Sequence, residues 1–246
     1  MTATLEICVD TLDGLDAAIK GGADRIELCA ALDVGGLSPA PSLLYAAQSA
    51  PIPIYCMIRP RAGSFIYTAR ELDFMCAEIT LVRELGFAGV VLGCGDESGL
   101  DIAGLSRLCA AADGLGRTLH RVVDLLPDRR DVPRQAASLG FERILTSGGQ
   151  PQAQQGMADI AAMVRAAPQG VSIMPGSGVT AQNTARILRK TGAREIHASA
   201  RGARNDAATG GRLHELGFCA VTTKHTDTAL VAGLKWALGA SEQGMA

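Results

Sequence analysis

A short pattern that joins a glycine to an apolar run occurs four times along the chain, at residues 22–26, 86–90, 140–144 and 192–196. In each copy a glycine is followed by a small or aromatic residue, two mixed residues, and then isoleucine or valine. A glycine just past a helix commonly ends the helix by adopting the left-handed backbone conformation, and a strand can begin two or three residues later. Four joints of this kind predict a chain in which helices and strands alternate.

Eight short apolar runs predict eight strands, at residues 5–9, 25–29, 54–58, 89–93, 118–122, 143–146, 171–174 and 195–198. Helical patterns lie between them, the clearest at residues 69–85, 153–166 and 180–190, with Thr180 as the expected N-cap. A last helix is predicted at residues 227–238, after an irregular stretch at about 200–224. Eight such units predict one α/β domain over residues 1–246, a single TIM-like (β/α)8 barrel.

Composition excludes several classes of protein. The chain is 48% hydrophobic and has a net charge of -2, which argues against disorder and against a nucleic-acid partner. It shows no apolar run of about 20 residues and no signal-peptide pattern, so neither a membrane partner nor export is expected. Seven cysteines without an export signal favour free thiols in the cytoplasm. Residues 10–14 lack a nucleotide fingerprint, so no nucleotide cofactor is expected.

Polar residues gather where the predicted strands end, which is where TIM-barrel enzymes carry their active sites. The candidates for acid/base chemistry are Glu27, His120, Asp124 and His197. The candidates for binding an anionic group are Arg59, Arg61, Ser147, Gly176, Ser177, Gly178, Ser199 and Arg201. Each group also has a structural interpretation: the histidines can be core residues, the arginines can pair with Glu27 and Asp124, and a tight turn also needs glycine. Arg59 is the expected partner of Glu27.

Two cysteines have matching inward positions on neighbouring strands. Cys8 and Cys29 would suit a soft ion such as Cu(I) if both thiols reach it. Cysteine is equally a common small core residue, and spacing alone leaves both interpretations open. The sequence has no CxxC or HxxxH pair, so it offers no zinc site of the usual kind.

Seven segments resemble the CutC copper homeostasis family in order along the chain. They are EICVD (6–10), GGADRIELC (21–29), MIRPR (57–61), HR (120–121), GFERILTSG (140–148), MPGSGV (174–179) and IHASAR (196–201). The resemblance implies a TIM-like barrel, a cytoplasmic location, a link to copper and assembly as a homodimer or higher homo-oligomer. It also implies Cu(I) ligands at Cys8 and Cys29. Residues 207–246 depart from the family pattern.

Two functions therefore remain open. The first is a copper homeostasis protein that binds Cu(I) through Cys8 and Cys29. The second is a small-molecule enzyme of the lyase or isomerase type, with Glu27 or His120 as the general acid/base. In that case Arg59 and Arg61 would bind a small anionic ligand bearing a phosphate or a carboxylate.

Overall fold

Eight parallel strands form one nearly closed barrel in the computed structural model, which describes residues 3–204, 211–217 and 223–243. The strands are β1 (Thr4–Val9), β2 (Arg25–Leu28), β3 (Ile54–Met57), β4 (Gly89–Leu92), β5 (Gly116–Leu119), β6 (Arg143–Thr146), β7 (Ser172–Pro175) and β8 (Glu195–Ala198). β8 pairs with β1, and the ladder then follows chain order to β7. Among the described residues, β7 and β8 lie side by side without a shared ladder, and we call this line the seam. The predicted TIM-like (β/α)8 barrel is confirmed.

A helix follows each strand of the barrel along the chain. The helices are α1 (Leu12–Lys20), α2 (Pro41–Ala47), α3 (Ala69–Glu84), α4 (Ile102–Ala111), α5 (Val132–Ser138), α6 (Met157–Ala166), α7 (Ala181–Thr191), α8 (Arg212–Glu215) and α9 (Thr228–Gln243). The last of them, α9, packs against both α7 and α1. None of the described helices combines the length and the apolar character that crossing a membrane requires.

Local sequence explains where the clearest helices begin. Thr68 and Glu71 form a reciprocal capping box at the start of α3. Its buried face carries Met75, Ile79 and Val82, at the spacing that brings side chains onto one side of a helix. Thr180 is the N-cap of α7, as the sequence predicts.

Several boundaries differ from the sequence prediction by a few residues, the last helix among them, which runs Thr228–Gln243. Three further differences change the type or the start of an element. The predicted strand at 118–122 is β5, which ends at Leu119 and is followed by a 3-10 helix, Arg121–Leu125. The predicted helix at 153–166 begins only at Met157. The stretch predicted to be irregular, 200–224, contains Arg201–Arg204, which pairs antiparallel with Thr223–Thr226.

The fourth residue of each glycine joint lies inside the barrel, near the amino ends of the strands. These residues are Arg25, Gly89, Arg143 and Glu195. Arg25 forms ion pairs with Glu6 on β1 and with Glu195 on β8, and Arg143 Nε lies 2.6 Å from Glu195 Oε2. We call Glu6, Arg25, Arg143 and Glu195 the charged layer. It links β1, β2, β6 and β8, and therefore reaches across the seam.

An aromatic ring lies against the charged layer. The guanidinium carbons of Arg25 and Arg143 lie 5.5 Å and 5.0 Å from the centroid of the Tyr55 ring, within the range of cation–π contacts. Gly89 lies beside the same ring, and a Cβ atom at this position would overlap it and lie 2.5 Å from the carbonyl oxygen of Gly116. Glycine is therefore required at this joint for steric reasons.

We expect Gly89→Ala to lower the free energy of unfolding by about 1–3 kcal/mol, because the added methyl group has no space beside Tyr55. Gly239→Ala in α9 is the matched control, since a Cβ atom there meets no atom within 4 Å. This control should be neutral or stabilising by up to about 1 kcal/mol. Urea unfolding midpoints measure both, and wild-type stability in Gly89→Ala would show that the barrel interior is not packed as described.

Candidate functional site

A cavity of about 790 Å³ opens at the carboxyl ends of the barrel strands, where the sequence predicts the functional mouth. Its polar lining residues include Cys8, Glu27, Arg59, His120, Arg121, Ser177, Ser199, Arg201 and Lys224, together with His197. Its apolar lining includes Met57, Phe65, Leu145 and Leu230. A cavity of this size and mixed character is typical of a site for a small molecule.

Three potential metal ligands meet at the bottom of this cavity. The ligand atoms of Cys8, Glu27 and His197 all lie within 4.8 Å of one another, and all three residues are buried. We call these three residues the cavity floor. Strand register explains why they meet. Cys8 on β1 is paired with Glu27 on β2, and Glu6, two residues before Cys8 on β1, is paired with His197 on β8. Among the residues that the structure describes, no other group of three or more such side chains is as close.

The His197 ring is oriented from the charged layer. Its Nδ1 lies 2.8 Å from Oε1 of Glu6, and its Nε2 lies 3.7 Å from Oε2 of Glu27. Burial opposes protonation of His197, but Cys8 and the two carboxylates outweigh it and hold the pKa of the imidazole well above its ordinary value. Burial likewise opposes ionisation of Glu6, but its bonds with His197 and Arg25 lower the pKa to about 2.

The two carboxylates that face His197 differ in their environment. Glu6 is fully buried and ionised between two cations. Burial raises the pKa of Glu27 to about 7, and its Oε1 has no hydrogen-bond partner in the described structure. Glu27 can therefore hold or release a proton near neutral pH, which is the property of a general acid/base or of a metal ligand that ionises on binding.

Cys29 lies beside the floor but is not one of the three residues that meet there. It packs with Tyr55, Met57 and Val91 inside the barrel. Burial first, and then the neighbouring Glu27 and Cys8, raise the pKa of the Cys29 thiol well above its ordinary value. Burial also raises the pKa of the Cys8 thiol. Both cysteines are thus protonated thiols at neutral pH when the site holds no ion.

Arg59 does not pair with Glu27, so that expectation is wrong. Its Nη1 donates to the carbonyl oxygens of Val34 and Gly36, at 2.8 and 3.0 Å, and its Nη2 donates to that of Gly63 at 3.2 Å. The loops after β2 and β3 supply these neutral oxygens, while Nε of Arg59 is buried and has no hydrogen-bond partner among the described residues. Arg59 is 6% exposed, lines the cavity, and has no carboxylate partner among the described residues.

His120 follows β5 and also lines the cavity. Its Nδ1 accepts a hydrogen bond of 3.1 Å from the backbone N–H of Val122, while its Nε2 is buried and finds no partner among the described residues. Burial and the nearby Arg59 cation lower its pKa to about 3, so His120 is neutral at physiological pH. The Phe65 ring packs on it, with ring centroids 4.6 Å apart.

Asp124 acts within the scaffold. Its carboxylate accepts hydrogen bonds from the Thr146 hydroxyl at 2.6 Å and from the backbone N–H groups of Ser147 and Gly149. It also pairs with Arg121, whose Nε lies 2.7 Å away, rather than with Arg59 or Arg61. Its oxygens are therefore used in holding the loop after β6, which leaves no acceptor site for a substrate proton.

Two further anion candidates lie outside the cavity lining. Arg61 Nε lies 2.5 Å from Oε1 of Glu71, its other nitrogens donate to loop carbonyl groups, and Arg61 is not among the residues that line the cavity. The hydroxyl of Ser147 donates to Asp124 or Gln150 and accepts from Arg121. Both side chains are therefore engaged in hydrogen bonds that hold loops.

The turns after β7 and β8 form one wall of the cavity. Ser177 and Ala200 adopt left-handed backbone conformations, with φ of 76° and 46°, which are uncommon for residues other than glycine. Gly176 lies behind the wall, where a Cβ atom would be 2.5 Å from Leu145 Cδ1. Gly178, Ser199 and Arg201 are lining residues, as Ser177 is, although the Ser177 hydroxyl donates to the Pro151 carbonyl.

Sequence reasoning missed three contributors to the site. Arg25 and Arg143 supply charge beneath the floor, and Phe65 connects Arg59 with His120. The repeated joint held a signal for the two arginines, since its fourth position carries Arg, Gly, Arg and Glu in the four copies. Phe65 lies in a loop, and no local pattern marks it.

Comparisons with known proteins agree on one family. A family model described as the CutC family matches residues 3–202. A protein of Caulobacter vibrioides (strain NA1000 / CB15N) named family protein CutC is 48% identical over 229 residues, covering 93% of this chain and 94% of its own. One of Sinorhizobium medicae (strain WSM419), similarly named, is 45% identical over 237 residues, covering 96% of each.

A solved structure agrees with the sequence matches. The crystal structure named for the copper homeostasis protein CutC of Streptococcus agalactiae superposes with a TM-score of 0.76 at 32% identity. It covers 80% of this chain and 98% of that one.

We expect Glu6→Gln to cost about 3–5 kcal/mol of unfolding free energy at pH 7, because it leaves Arg25 and His197 without their buried carboxylate. Glu27→Gln should cost about 1 kcal/mol or less, since the carboxyl it replaces is partly protonated at that pH and Arg59 does not depend on it. Chemical denaturation of both variants measures the difference. Equal losses would mean that Glu27 supports the scaffold as much as Glu6 does.

Proposed function

This chain belongs to the CutC family, and we propose that it takes part in copper homeostasis by binding a copper ion at the cavity floor. The observation that carries the proposal is the meeting of Cys8 Sγ, His197 Nε2 and a Glu27 oxygen within 4.8 Å. Thiolate sulfur favours Cu(I), and imidazole nitrogen suits copper in either oxidation state. All three residues line the cavity, which gives an ion access to them.

Glu6 supports the proposal from outside the ligand set. A histidine that binds a metal usually donates the N–H of its other ring nitrogen to a hydrogen-bond acceptor such as a carboxylate. This hydrogen bond fixes the orientation of the ring and raises its basicity. The contact of 2.8 Å between Glu6 and Nδ1 of His197 has this arrangement, and it directs Nε2 toward the floor.

Protons compete with the ion for this site. The pKa values of Cys8 and His197 are raised, so both side chains carry a proton when the site is empty. Both protons must leave when copper binds, and affinity is expected to rise with pH by about tenfold per pH unit for each proton released. The neighbouring carboxylates favour a bound cation, because they lie on the same buried surface.

Cys29 is the second cysteine that the family resemblance implies as a ligand. Its position beside Glu27 and Cys8 makes it available to a bound ion if the side chains rearrange. We propose the three floor residues as the site of binding and treat Cys29 as a neighbour whose contribution the experiment below measures.

A cytoplasmic location is part of the proposal. The six cysteines in the described residues are free, and Cys219 lies outside those residues. Free buried thiols suit a reducing compartment. The names of the relatives favour a copper role over the acid/base enzyme that the sequence also leaves open.

We expect Cys8→Ser and His197→Gln to weaken Cu(I) binding by more than about tenfold, and Glu6→Gln to weaken it by roughly 10–100-fold through loss of ring orientation. Competition against a chromophoric Cu(I) chelator, with anaerobic protein at fixed pH, measures the affinities. Cys76→Ser is the matched control, because that thiol lies on α3 outside the barrel.

Cys29→Ser distinguishes the two ligand sets. Near-wild-type affinity in this variant supports the floor site. If Cys8→Ser and Cys29→Ser lose Cu(I) affinity and His197→Gln does not, the ion is bound by the two cysteines instead. Wild-type Cu(I) affinity in all of the barrel variants would show that the cavity is not the copper site.

A further inference from the structure

The cavity contains a second polar group beside the floor, formed by Arg59, His120 and Phe65. The guanidinium carbon of Arg59 lies 5.0 Å from the centroid of the Phe65 ring, and the His120 ring packs on the same phenyl group. All three side chains line the cavity. The proposed copper site uses none of them, so their arrangement needs a separate explanation.

The first unexplained feature is a buried cation without an anion. Arg59 is 6% exposed, and its partners are three neutral carbonyl groups. Its Nε is buried and has no hydrogen-bond partner in the described structure. Burying a charge without a counter-ion is costly, which favours a ligand that supplies negative charge.

The second feature is an oriented donor on His120. Since Nδ1 accepts the hydrogen bond from Val122, the neutral ring carries its hydrogen on Nε2. That Nε2 is also buried, and no described residue accepts a hydrogen bond from it. The ring stays neutral across the physiological range, because burial and the Arg59 cation oppose its protonation. It therefore presents one N–H donor.

We propose that the cavity binds a small organic acid whose carboxylate accepts hydrogen bonds from Arg59 Nε and His120 Nε2. We call this place the carboxylate subsite. One positive charge and two N–H donors match the single charge and two oxygens of a carboxylate. A phosphate group carries more charge and three acceptor oxygens, and two donors would leave it incompletely bound.

The rest of the cavity suits the body of such a molecule. Phe65, Met57 and Leu145 add apolar surface to the same cavity, whose volume of about 790 Å³ lies in the range of sites for small molecules. A single ion at the floor would leave most of this space without a role. The inference does not depend on copper, because no floor residue takes part in holding the carboxylate.

Binding of simple acids to metal-free protein tests the proposal. Acetate, succinate and benzoate are titrated by calorimetry in the presence of a chelator, with sodium chloride at matched ionic strength as the blank and inorganic phosphate as the comparison anion. We expect saturable binding of at least one carboxylate and weaker binding of phosphate. The absence of saturable carboxylate binding, or tighter binding of phosphate, would overturn the proposal.

A pair of His120 variants separates the two ring nitrogens. His120→Asn retains an acceptor for the Val122 N–H but lacks the outer donor, whereas His120→Gln retains a donor near the position of Nε2. We expect His120→Asn to lose about tenfold or more in affinity for the carboxylate, and His120→Gln to lose less. Equal affinity in wild type and His120→Asn would exclude this nitrogen and overturn the proposal.

Arg59→Lys tests the cation, and Arg130→Lys is its matched control, because Arg130 is exposed and pairs with Asp128 outside the cavity. The first should lose about tenfold or more in affinity, and the control should bind like wild type. If Arg59→Lys fails to fold, the His120 pair still decides the matter. The Cu(I) affinity of His120→Asn should equal that of wild type. The copper proposal and the carboxylate proposal can therefore be contradicted independently of each other.

Discussion

Four ionised side chains inside the barrel neutralise one another between strands that are far apart in the sequence. Arg25 joins Glu6 and Glu195, and Glu195 also joins Arg143, so β1, β2, β6 and β8 share one charged layer. Removing one member of such a buried network leaves the charge of the others uncompensated, which is strongly destabilising. The intact network, by contrast, adds little to the free energy of unfolding compared with an apolar core of the same size. The layer therefore acts less as a source of stability than as a constraint on which strands can be neighbours.

This constraint reaches the candidate site through a single residue. Glu6 belongs to the charged layer through one oxygen and orients His197 through the other. The protonation of the cavity floor is consequently coupled to the packing of the barrel base. Arg59 and His120 are held in another way, by backbone groups of the loops and by Phe65. The cavity thus combines a region supported by the barrel with a region supported by loops.

The sequence predicted the barrel because periodicity and glycine joints are local signals that repeat. It also placed Glu27, His120 and His197 at the strand ends, and the structure finds them lining one cavity. It could not assign partners: Glu27 lies on β2 and Arg59 follows the neighbouring strand β3 with matching parity, yet the loop after β2 supplies carbonyl groups to the arginine. Such contacts depend on loop conformation, which the strand pattern does not encode. Asp124 was predicted as a catalytic residue from its position alone. Position does not show that the lone pairs of its carboxylate already accept hydrogen bonds from Thr146 and Gly149.

The seam between β7 and β8 has a consequence for how the molecule fluctuates. Side chains hold it closed: the pair Arg143–Glu195 passes from β6 to β8 across β7, and the Met174 sulfur lies 3.3 Å from Arg25 Nη2. Strands without a shared ladder can separate at smaller cost than those that must break backbone hydrogen bonds. The barrel therefore has a preferred line of opening, and that line runs up to the wall where Ser177 and Ala200 border the cavity. Local unfolding there would admit solvent and solutes to the interior while the ladder from β8 through β1 to β7 stays intact, so amide hydrogen exchange would distinguish the two sides of one sheet.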